Sequence, residues 1–209
     1  MRRIEGNLPE TVVLLPTLWL GASHHHRLFP GALSLSEGLY GQVIQSVLDC
    51  IMESSVCAPG RVRRILLLNG HGGNIAPTST AFSEIYAAAS LDPSGTVPRL
   101  RCILRNWFDG EEVARLSREF YGDRLGTHAT AAEVAMTQHL HPEAIKRVAM
   151  PPVVPTRRRF TDALDLRELH PDGRIGSEPG LATPEHGRAL YEAAVRECAA
   201  AWTAFMDEA

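Results

Sequence analysis

Residues 65–68 are four apolar side chains in a row, and they run without a break into Asn69-Gly70-His71-Gly72-Gly73-Asn74. No other stretch limits the fold as strongly. A short, continuous apolar run has no polar face to turn to water, so it fits a parallel strand covered on both sides. A loop of small residues follows, then a helical stretch to about Ala89. Strand, tight loop and helix in that order form the repeating step of an α/β layered fold.

The rest of the chain continues the alternation. Residues 11–15 (TVVLL) read as a buried strand closed by Pro16, and residues 99–105 as a third strand ending at Asn106-Trp107-Phe108. A helix begins at about Ser36, a good N-cap, with Leu39, Val43, Val47 and Ile51 on one apolar stripe. Residues 111–120 and 130–140 read as two further helices. Thr183-Pro184-Glu185 opens the last, with Thr as N-cap, Pro at the first helical position and an acid in the first turn. That helix extends to about Met206. The Pro-rich and Arg-rich stretch 150–159 is an irregular excursion and a candidate contact between subunits. One α/β domain over residues 1–209, with a mainly parallel sheet, accounts for this pattern.

Composition narrows the function. Charged residues make up 22% of the chain and the formal charge is −3, which gives no basic surface for nucleic acid. No apolar stretch approaches the roughly 20 residues that span a bilayer. Cys50, Cys57, Cys102 and Cys198 form no C-x-x-C pair, so free thiols in a reducing cytoplasm are expected.

Ligands of open α/β sheets bind at the carboxyl ends of the strands. Two histidine-bearing loops lie at such positions: Gly21-Ala22-Ser23-His24-His25-His26 and the Asn69–Asn74 loop. His128 and Glu133 bracket the start of a helix. Imidazole and carboxylate together suit Zn²⁺ or Mn²⁺. Taken singly, each feature has a second reading. The glycine loop is also a tight turn, the three histidines a solvated loop, His128 a polar helix-start residue, Glu133 a surface acid and Trp107 a core residue.

The order in which these pieces occur resembles the creatininase (creatinine amidohydrolase) family. The pieces are Gly21-x-Ser23, His26-x-x-Phe29-Pro30-Gly31-x-Leu33-Ser34, the apolar strand with Asn69-Gly70-His71-Gly72-Gly73-Asn74, Asn106-Trp107-Phe108 and His128-Ala129-x-x-x-Glu133. Gly173-Arg174-Ile175-Gly176 and Ala182-Thr183-Pro184-Glu185-His186-Gly187-Arg188 look like that family's closing segment, so the likeness covers residues 8–194. It implies a three-layer α/β/α fold and hydrolysis of a non-peptide C–N bond in a small cyclic or linear amide. It implies two divalent metals per site, Zn or Mn, and a homo-oligomer, a hexamer. His71 would be a metal ligand and Glu133 a ligand or an acid/base group. His128 would face the substrate and stabilise the tetrahedral intermediate or pass protons. Asn69 and Gly72 would lie in the substrate-binding loop, with Asn69 and Asn74 bracing it, and Ser23, His26 and Trp107 would lie near the substrate.

Two departures stand out. The family's opening strand and its Glu-x-His-Gly-x-His-x-Pro…Asp loop have no counterpart here. Met1-Arg2-Arg3-Ile4-Glu5-Gly6-Asn7 instead looks like the end of the helix after that loop. The expectation is a sheet without its N-terminal strand, weak metal binding and impaired turnover, with His24, His25 and His26 as the next places to seek ligands. The alternative is a non-catalytic structural or binding protein on the same fold. Secondly, family members that act on creatinine carry an acid two positions after the loop histidine, where this chain has Gly73.

Overall fold

The computed structural model describes residues 12–53, 62–94, 100–146, 148–153 and 158–208. Residues 1–11, Cys57, residues 95–99 and Arg157 therefore lie outside the described residues. Among the described residues the order is α1 (Glu37–Glu53), β1 (Arg64–Asn69), α2 (Ile75–Leu91), β2 (Arg101–Asn106), α3 (Glu111–Tyr121), α4 (Ala131–Leu140), α5 (Ala163–Leu169) and α6 (Pro184–Asp207).

β1 and β2 pair in parallel, from Arg64 opposite Arg101 to Asn69 opposite Asn106, with α2 as the crossover. Side chains alternate along a strand. Ile65 and Leu67 of β1, with Cys102 and Leu104 of β2, therefore turn to one face and pack on a core built by α1 and α2. Tyr40, Ile44 and Leu48 come from α1, and Ala81, Phe82 and Ile85 from α2. The opposite face is covered less. Arg64 donates from Nε to the Phe205 carbonyl of α6 at 2.9 Å, but Leu68 is 61% exposed. The expected cover on both faces of β1 therefore holds at its start and not at its end.

A second core joins α3, α4 and α6. Ala131, Ala132 and Ala135 of α4 meet Leu190, Ala193 and Ala194 of α6, with Val113 and Tyr121 of α3. Small side chains let the helices approach closely, and Gly187 sits at the closest point. A Cβ there would stand 1.9 Å from the Ala135 carbonyl oxygen. α3 begins at Gly110 with no side-chain cap of its own. Glu197 of α6 supplies one instead: its carboxylate accepts from the Glu112 N–H at 2.8 Å and the Val113 N–H at 3.3 Å. Free N–H groups of a first turn need such acceptors.

Several expectations are met. Ser36 accepts from the Leu39 N–H at the start of α1. Thr183 caps α6, with Pro184 in its first turn. Others are corrected. Among the described residues, 12–15 of the expected 11–15 strand pair with no strand, and Val13, Leu14 and Leu15 are 59%, 49% and 49% exposed. Strand propensity expresses packing against neighbouring strands, and without a partner it builds nothing. The Leu39/Val43/Val47/Ile51 stripe of α1 faces outward along a shallow groove with Cys50. The adjacent stripe through Tyr40, Ile44 and Leu48 is the buried one. A helix with two apolar stripes at i+4 spacing does not itself say which faces the core. The excursion at 150–159 includes α5's approach: Arg158 pairs with Asp165 at 2.6 Å, and Arg174 donates to the Pro151 carbonyl at 2.7 Å. Cys50, Cys102 and Cys198 are free thiols. No described helix is long and apolar enough to cross a membrane.

Gly187→Ala is expected to cost about 1–3 kcal/mol through overpacking of α4 against α6. Glu197→Ala is expected to cost about 0.5–2 kcal/mol through loss of the cap on α3. Urea denaturation of each variant checks both; unchanged midpoints would refute the close-contact and capping assignments.

Candidate functional site

The parallel register sets Asn69 and Asn106 side by side at the carboxyl ends of the two strands, and both are buried. A buried amide needs partners for its donors and acceptors, and these form a ladder. Asn69 Nδ2 donates to Asn106 Oδ1 and to the His71 carbonyl, each at 2.7 Å. Asn69 Oδ1 accepts from the His71 N–H at 3.2 Å and from Asn74 Nδ2 at 3.0 Å. Asn74 Oδ1 accepts from the Ala22 N–H at 2.8 Å, which ties the first histidine loop to the second. Gly21 makes room for this: a Cβ there would lie 2.6 Å from Asn74 Oδ1.

His71 is thus held by the backbone on both sides. Its Nδ1 accepts from the Gly73 N–H at 3.2 Å. The turn Gly72–Asn74 then leads into α2. No atom lies within 4 Å of where a Cβ on Gly72 would stand, whereas a Cβ on Gly73 would meet the Ala22 carbonyl oxygen at 2.2 Å.

His24–His26 form one turn of 3₁₀ helix. Ser23 Oγ and His26 Nδ1 are hydrogen-bonded at 2.6 Å. His26 is buried, and its Nε2 has no hydrogen-bond partner among the described residues. Its ring stacks on His128 with centroids 3.7 Å apart and lies 6.1 Å from the His71 ring. His25 lies 4.1 Å from His26 and 6.4 Å from His71, and stacks on Phe160 at 5.7 Å. His24 turns away to Glu37, 3.6 Å distant.

His128 and Glu133 meet at the start of α4. Ala129 between them and the cap has φ 51°, a left-handed conformation that costs a non-glycine residue about 1–2 kcal/mol. Thr130 and Glu133 then close a capping box. Glu133 Oε2 accepts from the Thr130 N–H and from its hydroxyl, both at 2.8 Å. The His128 carbonyl is held by the Ser177 hydroxyl at 2.5 Å.

Electrostatics follow from this crowding. Burial lowers the His26 pKa to about 3, helped by His128, His25 and His71. Burial also lowers that of His128, with Glu133 raising it and His71 lowering it. His25 is lowered by burial and then by His24, His71 and His128. His25, His26 and His128 are thereby held toward the uncharged form, able both to accept protons and to offer lone pairs.

The structure therefore brings Ser23, His26, His71 and His128 into one cluster, with Glu133 within electrostatic reach of His128. Asn69 and Gly72 lie in its backbone frame. Trp107 packs against the α3/α4/α6 core. Phe160 joins the cluster without having been singled out; His25 and Asn106 join it from motifs already named, as a place to seek ligands and as a polar residue closing a strand. The donors are of the kind that holds Zn²⁺ or Mn²⁺, but their number falls short. No group of three or more His, Cys, Asp or Glu among the described residues is placed to hold a metal ion.

Comparisons with known proteins bear on the family and the fold. The family profile described as Creatininase: Creatinine amidohydrolase matches residues 1–202. A mycofactocin precursor peptide peptidase from Mycobacterium tuberculosis (strain CDC 1551 / Oshkosh) is 24% identical over 197 residues. That match takes in 90% of this chain, which spans 64% of the relative's length. A crystal structure of creatinine amidohydrolase (creatininase) superposes with a TM-score of 0.68 at 19% identity, covering 93% of this chain and 75% of that one. A mutant creatininase of Zn-Zn type gives 0.59 at 18% identity over 86% and 69% of the two chains. A structure titled Creatininase Mn gives 0.57 at 19% over 83% and 66%.

The lowered pKa of His26 fixes a sign. Between its ordinary value of 6.5 and about 3, the unfolded chain holds a proton that the folded chain does not. Stability is therefore full above the ordinary value and falls as pH drops through that window. Urea titrations across it should show the slope, and His26→Gln should flatten it; an equal slope in the variant would refute a neutral, buried His26.

Proposed function

Because this chain belongs to the creatininase family, we propose that it is a metal-dependent amidohydrolase acting on a non-peptide C–N bond of a small cyclic or linear amide. The observation that carries this reading is the clustering of His71, His26 and His128, with Glu133 in reach, beside the carboxyl ends of two parallel strands. Amide hydrolysis needs a proton taken from water, a proton given to the leaving nitrogen and a polarised carbonyl.

His128 suits the proton steps. It is neutral at working pH, so it can take a proton from the attacking water and return it to the nitrogen as the C–N bond breaks. Glu133, fixed by the capping box, offers its other oxygen to stabilise the protonated imidazole or to serve as the acid/base itself. Ser23 keeps His26 oriented through Nδ1, and His26 in turn stacks on His128. A bound divalent ion would supply carbonyl polarisation and acidify water. His71 and Glu133 are two donors, and Zn²⁺ takes about four, so the described residues do not complete such a centre and no step above depends on one.

Gly73 bears on the substrate. The acid that the family's creatinine-hydrolysing members carry at this point would collide with the Ala22 carbonyl. Creatinine is therefore disfavoured. A second reading has one observation behind it: the 24%-identical relative is a peptidase, which brings short peptides into the assay. A homo-hexamer, with residues 150–159 at a subunit contact, is part of the proposal.

His128→Ala is expected to lower kcat by about 10²- to 10⁴-fold on the best of a panel of cyclic amides, linear amides and short peptides. His71→Ala should abolish what metal binding there is. Elemental analysis of the desalted protein is expected to find less than one tightly held ion per chain. Two tightly held ions would show that donors other than His71 and Glu133 complete the centre. Their absence together with no turnover on any amide would favour a binding protein on this fold.

A further inference from the structure

Asp109 stands just past β2, outside every motif considered above. Its Oδ2 accepts from Asn106 Nδ2 at 2.6 Å. Asn106 Oδ1 in turn accepts from Asn69 Nδ2 at 2.7 Å, and Asn69 grips the N–H and the carbonyl of His71. We propose that Asp109 is a positioning residue for His71 and, through Asn74, for the Ser23–His26 loop, acting by setting the sense of the asparagine ladder.

The argument is one of polarity. An asparagine amide has an oxygen and a nitrogen of nearly equal shape and opposite hydrogen-bonding character. Turned over, it fits the same space and presents a donor where an acceptor is needed. A carboxylate only accepts, so Asp109 compels Asn106 to turn its nitrogen outward and its oxygen inward. Asn69 then meets an acceptor and spends its second proton on the His71 carbonyl, which leaves its oxygen for the His71 N–H and for Asn74. Asn74 is left with its oxygen facing the Ala22 N–H. Every donor and acceptor of Asn69 is used in this arrangement. If Asn106 turned over, two amide nitrogens would face each other inside the protein, and a buried donor without a partner costs about 1–3 kcal/mol. Asp109 is exposed, so its charge stays hydrated while it directs the buried amides behind it.

The inference rests on His71 being a site residue, but it is tested without reference to turnover. The probe is hydrogen exchange of the His71 and Ala22 backbone amides, read by NMR on the intact chain. Asp109→Ala should speed both at least tenfold while amides in the middle of β1 and β2 keep their rates. Asn106→Asp should do the same, because it sets two carboxylates against each other with no proton between them. The exchanged pair Asn106→Asp/Asp109→Asn should restore slow exchange: the new carboxylate still accepts from Asn69, and the new amide donates to it. Where the protein is active, the single variants should lower kcat more than they raise KM, with recovery in the double variant. Unchanged exchange in Asp109→Ala, acceleration spread evenly along both strands, or no recovery in the double variant would each overturn the proposal. Inactivity of the wild type on every amide would bear only on the reaction.

Discussion

The register that sets Asn69 beside Asn106 is the constraint on which the remainder of the structure depends. A shift of one residue between β1 and β2 would turn the apolar side chains of one strand away from α1 and α2. It would also leave buried amides without partners at the very point where the chain leaves the sheet. Both loops of the site are fastened to that point, one through the His71 peptide and the other through Asn74 and Ala22. The apolar core and the polar ladder therefore enforce the same alignment, one by exclusion of water and the other by directional bonding.

Much of this was legible in the residues. The apolar run before Asn69 located β1, the glycines after it the loop, and Thr183 the start of α6 as its cap. The order of the motifs gave the family. What the sequence could not convey was which of two apolar stripes on α1 faces inward, since both satisfy the helical period and only the position of α2 decides. Residues 12–15 show the same limit, since their branched side chains favour a strand but a strand is a relation between two segments. Asp109 was invisible for a different reason. Its role comes from the polarity of a chain of amides joined across the sheet, and nothing in its neighbours along the sequence reports that.

The imidazole cluster explains why so many histidines can share a small volume. At 3.7 Å between His26 and His128, two positive rings would repel by about 4 kcal/mol at an effective dielectric of 20. Keeping them neutral removes the repulsion and leaves lone pairs available. Glu133 lies within electrostatic reach of His128, and its place in the capping box keeps it from collapsing onto an imidazole.

Glu197 ties two distant parts of the chain into one sequence of events. α3 begins on a glycine and relies on a side chain 85 positions later to cap its first turn. During synthesis the ribosome delivers α3 and α4 well before α6, so neither the cap nor the alanine-lined cleft for α6 can be filled while the chain is still short. The half of the protein that carries His128 and Glu133 therefore matures late, as the final helix emerges. Until then its apolar surface stays exposed to other nascent chains and to chaperones.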